Sequence, residues 1–141
     1  MLRRLHLIVG LAGLVAFLLT GQYMHWAHAH LQGMADGPRL IYRSSHIYLL
    51  WASLLNLGYG CYAHRVSGAG ATIAQAAGSL ALVIGPVMLG WSFFYETYNH
   101  DLERPVGRLA IYLALAGTAL HVIASFIQKA ESESASADRR R

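Results

Sequence analysis

His25 and His28 stand three residues apart, so on a continuing helix they share one face, with Met24 beside them. Glu96 and His100 are four apart and project together in the same way. Imidazole and carboxylate groups suit Zn, Cu or non-haem Fe, and a thioether favours Cu(I), which makes His25, His28, Glu96 and His100 the candidate metal ligands. His46 lies just below them. The stretch YRSSHIY adds a different chemistry: Arg43 with the hydroxyls of Ser44 and Ser45 at a helix start attracts an anion such as a lipid phosphate or a haem propionate. His46, Arg43 and His100 are therefore the candidate cofactor-binding residues, with haem b, Cu, Zn or Fe as the groups their chemistry fits. The competing structural reading is that Ser44 or Ser45 caps the helix while Arg43 pairs with Glu96 or reaches lipid headgroups.

A second group lies deeper. Helical rise places His46 about four residues and His121 about thirteen residues below the same surface, roughly 14 Å apart in depth, so one iron cannot take both. His121 instead shares its depth with Asn56 and Ser79, which form an expected buried polar layer. Such residues join helices in lipid by hydrogen bonds. The functional alternative is a proton relay or a ligand site, because an ionisable residue at mid-depth is costly.

These residues must be carried by elements, and composition says which. Of 141 residues, 55% are hydrophobic and 13% charged, about half the charged share of an ordinary soluble domain. The apolar residues come in runs near 20, long enough for a hydrocarbon layer of roughly 30 Å. The spacing predicts helices over about 5–24, 42–63, 72–95 and 108–128 within one membrane domain, 1–128, followed by a disordered charged tail, 129–141. The first run also fits a signal peptide, with Ala27-His28-Ala29 as a cleavage pattern, but its length favours a retained helix. Gly37-Pro38 breaks the chain before the second helix, Pro105 fits the first turn of the fourth, and Gly85-Pro86 predicts a kink in the third.

The fold class expected is an all-α, integral membrane four-helix bundle of up-down topology. Arg3, Arg4, Arg65 and Lys129 fall on one side, while the arginines of the other are diluted by Asp36, Glu96, Asp101 and Glu103, so the N and C termini are expected to be cytoplasmic, in a bacterial-type inner membrane. The net charge of +4 comes largely from the chain ends and makes no nucleic-acid face. Cys61 is the only cysteine, which excludes an internal disulfide. Tyr23, Trp26, Tyr42, Tyr48, Trp91, Tyr95, Tyr98 and Tyr112 crowd the outer third, as an aromatic belt or as the lining of a cavity for a flat ligand.

The four spans with scattered histidines are similar in architecture to small b-type cytochromes, whose ligands must lie at one depth; here only the outer set, His46 with His100 or His25, meets that condition. Three functions follow as expectations. The first is an accessory or assembly subunit of a larger membrane complex, using small residues such as Gly10, Gly13, Gly78, Gly85 and Gly117 as a groove for a membrane-protein partner or a second copy. The second is a haem- or metal-binding redox protein built on the outer histidines. The third is a small membrane enzyme acting on a lipid or quinone, with Arg43 holding an anion and His46 or Glu96 handling protons.

Overall fold

The structure, a computed structural model, describes residues 2–99 and 102–138. Four helices account for almost all of it: α1 (Leu2–His28), α2 (Asp36–Tyr62), α3 (Ala69–Tyr98) and α4 (Pro105–Asp138), with a short 3-10 turn at Ala29–Leu31. The helices Leu2–Leu31, Ala69–Tyr98 and Pro105–Ser134 are long and apolar enough to cross a membrane. α2 has the length, but polar residues along it lower its mean hydropathy.

α1, α3 and α4 extend past their expected apolar runs at both ends and α2 at its start, because a helical backbone ladder does not stop where the hydrophobic residues do. α2 starts at Asp36, with Gly37 and Pro38 inside its first turn, where a missing N–H breaks no helical bond. Ser44 and Ser45 therefore lie two turns inside the helix and do not cap it. α4 continues to Asp138 through a segment whose composition predicts disorder. Ala, Glu and Lys are good helix formers, and Lys129 stands 3.9 Å from Glu133 one turn on.

α1 and α2 pack with opposite sense. His6 meets Asn56, and Phe17 and Thr20 meet His46 nearer the other end. Small residues set the separation. A Cβ on Gly10 would come within 2.9 Å of the Leu57 backbone nitrogen, and one on Gly60 equally close to that of Leu7. α3 and α4 meet still more tightly, since a Cβ on Gly78 would lie 2.8 Å from the Gly117 carbonyl oxygen, and the reverse. Gly13 faces Ser53 and Gly85 faces Ala110 and Ala114, so all five glycines expected to form a partner groove are covered by the chain's own helices.

Two clusters fill the bundle between these contacts. Leu49, Ala52, Leu89 and Ala110 form one; Leu31, Tyr42 and Phe93 form the other, which anchors the left-handed turn after α1.

Candidate functional site

The end of the bundle that holds residues 28–48, 91–99 and 102–112 is locked by a charged pair. Glu96 is fully buried; its carboxylate accepts bonds from Ser92 Oγ at 2.5 Å and from the Gly107 backbone N–H at 2.8 Å, and pairs with Arg104 Nε at 3.4 Å. Arg104 also donates to Ser44 and, at 2.7 Å, to Ser45, with its guanidinium 5.6 Å from the Tyr48 ring centre. The carboxylate thus takes an N–H from the first turn of α4 while the arginine ties α2 to α3 and α4. Every polar atom named here has its partner, which marks the network as a clamp. Arg43, expected to pair with Glu96, is exposed instead, and Arg104 takes that place because α4 begins directly beyond it.

The residues expected to bind metal or cofactor are distributed around this clamp. His25 Nδ1 lies 2.5 Å from His30 Nε2, on the turn where Ala29, His30 and Leu31 all have positive φ. His28 Nε2 is 3.1 Å from the Tyr42 hydroxyl. Glu96 is committed to Arg104, and among the described residues no three His, Cys, Asp or Glu side chains converge. His46 stacks on Phe17 with ring centres 4.0 Å apart and bonds Thr20 at 2.9 Å, so its ring faces α1. His100 lies outside the described residues. The outer aromatics Tyr23, Tyr42, Trp91, Phe94, Tyr95 and Tyr98 line a cavity of about 340 Å³. Two of its polar members are already bonded, Thr97 Oγ1 to the Phe93 carbonyl and Tyr42 to His28.

At the opposite end, where α1 begins, the situation is reversed. His6 is fully buried and His121 nearly so, and each has one ring nitrogen in use and one without a partner. His6 Nδ1 lies 2.8 Å from Asn56 Oδ1, leaving Nε2 free; His121 Nε2 lies 3.3 Å from Ser79 Oγ, leaving Nδ1 free. The two ring centres are 6.2 Å apart, and the Tyr59 ring sits beside both, 5.1 Å from His6 and 3.6 Å from His121. A buried polar atom without a partner costs about 1–3 kcal/mol, so two in one place call for a ligand or water.

Space is available for either. A cavity of about 370 Å³ is lined by His6, Tyr59, Gln75, Arg3, Arg4 and Arg65 among others, and a second of about 340 Å³ by Tyr59, Gln75, Thr118 and His121. These volumes are in the range of small-molecule sites. Gln75 separates the site from the α2–α3 connection, donating to the His64 carbonyl at 2.8 Å while its Oε1 accepts from the Val66 N–H at 3.4 Å. Asn56, Ser79 and His121 thus meet their partners here, and the residue that completes the group, His6, is absent from the sequence-based set. Its signal was present: His6, Gly10, Gly13 and Thr20 repeat at helical spacing and are the buried residues of α1.

The fold and site define an all-α bundle with membrane-compatible helices and a histidine pair buried at one end. Comparisons with protein-family models, with curated proteins and with solved structures find no match.

Proposed function

We propose that this chain is a four-span membrane protein of up-down topology, with its termini cytoplasmic, whose inner end binds the polar head of a quinone-class lipid between His6, Tyr59 and His121. The observation that carries this reading is the pair of buried, unpartnered ring nitrogens, on His6 in the lining of one cavity and on His121 in that of a second, with Tyr59 and Gln75 shared by both. A flat ring bearing oxygens on opposite edges can meet two imidazole nitrogens and lie against Tyr59, while its apolar tail leaves between helices into lipid. His6 and His121 each offer the bound head one ring nitrogen that no protein group occupies.

α2 supports the fourth span by the pattern of its faces. Ser45, Ser53 and Asn56 are buried inside, whereas Leu40, Ile47 and Leu54 point outward at sevenfold spacing. That inversion suits a helix whose solvent is hydrocarbon.

The test is calorimetric titration of the detergent-purified protein with a decyl-substituted benzoquinone and its quinol. Saturable binding is expected, weakened about tenfold or more in His6→Ala and in His121→Ala, since each removes one hydrogen bond in a buried site. Binding unchanged in both variants, or no binding to folded protein, sinks the proposal.

A further inference from the structure

Pro86 sits in the middle of α3 and has no N–H to give to the carbonyl one turn back, that of Leu82. That carbonyl is buried and needs a donor from elsewhere. Asn56 supplies it: Nδ2 donates to Leu82 O at 2.8 Å and to Ala52 O at 2.9 Å. With both amide hydrogens aimed at carbonyl oxygens, the Asn56 side chain has one orientation, since the flipped amide would bring its oxygen against two others. Oδ1 is therefore presented to His6 as an acceptor, and the bond at 2.8 Å requires the proton on His6 Nδ1. In the neutral ring, Nε2 then carries a lone pair and no hydrogen. It is the unpartnered atom of a ring that lines the cavity.

We infer that Pro86, acting through Leu82 O and Asn56, fixes the His6 tautomer and so makes the site select a ligand head that donates a hydrogen bond: the hydroxyl of a quinol in preference to the carbonyl of a quinone. The inference rests on the quinone-class reading of the site. A quinol hydroxyl gives its hydrogen to Nε2, whereas a quinone oxygen would set lone pair against lone pair. Asn56 and Pro86 are positioning residues: neither touches the ligand, and each acts through His6.

Two readouts test this. The first is the ¹⁵N spectrum of histidine-labelled protein in micelles without ligand, with the His6 signal identified by its loss in His6→Gln. A protonated Nδ1 and bare Nε2 are expected in the wild type. In Pro86→Ala, where the α3 ladder regains its own donor for Leu82 O, and in Asn56→Leu, a mixture that includes the Nε2–H form is expected. A bare Nδ1 in the wild type, or a tautomer unmoved in both variants, overturns the inference. The second is the ratio of quinol to quinone affinity for the decyl compounds under anaerobic conditions, expected to be about tenfold in the wild type and to approach unity in Pro86→Ala. Equal affinities in the wild type overturn the preference. If the ligand-free tautomer is as expected and neither compound binds, the preference falls together with the quinone-class reading.

Discussion

At the scale of single residues, the molecule separates polar groups that are finished from polar groups that are not. Glu96 is finished: Ser92, Gly107 and Arg104 meet its two oxygens. Removing one member of such a pair strands the other, so Glu96→Ala should cost about 3–5 kcal/mol and lower the melting temperature in detergent. Gly107 tests the same clamp by crowding, because a Cβ there would lie 2.8 Å from Ser92 Oγ and 2.9 Å from Glu96 Oε2. Gly107→Ala should also lower the melting temperature, by loosening the carboxylate from the α4 N-terminus, while quinol titration still saturates at the distant histidine pair. A ligand affinity that falls in parallel with stability would show that the two ends are not independent. His6 and His121 are unfinished, and their substitution should do the opposite. His6→Phe strands only the Asn56 Oδ1 acceptor, so it should cost about 1–3 kcal/mol, less than Glu96→Ala, while abolishing ligand binding.

At the scale of elements, the spacing of small residues decides how closely helices approach. Gly78 and Gly117 bring α3 and α4 into contact backbone to backbone. Gly117→Leu forces them apart and should cost more than the 1–3 kcal/mol typical of overpacking, read as loss of the folded, monodisperse species in detergent. The helices themselves were legible because an apolar run of span length satisfies its backbone in lipid only as a helix. Their ends were not, since Asp36, Gly37 and Pro38 read as a break in composition and yet make a sound first turn. The candidate site was half legible. Depth counting brought Asn56, Ser79 and His121 to one level, but His6 lies near the chain start, outside the levels compared. Only the stripe it forms with Gly10, Gly13 and Thr20 shows which way it faces. Arg104 was hidden for a different reason: its role depends on a connection with positive φ, whose path no periodicity records.

At the scale of the whole molecule, polar groups gather at the two ends and in one stripe of α2, while the outward faces are apolar, with Ile8, Leu18, Ile73, Val87 and Phe126 among the exposed side chains. Membrane orientation can be read from Cys61, the only cysteine and an exposed one, close to the end that holds the histidine pair. An impermeant maleimide should label it in inverted inner-membrane vesicles and leave it untouched in right-side-out spheroplasts; the reverse pattern would turn the bundle over. The most direct measurement of the central claim is photo-crosslinking in native membranes with an azido-substituted quinone, followed by peptide mapping. Labels competed away by decylquinol should fall on the start of α1, on Tyr59 or on Gln75. Competed labels confined to the outer aromatics Tyr23, Trp91 and Tyr98, or no competed label anywhere, would contradict a site built on His6 and His121.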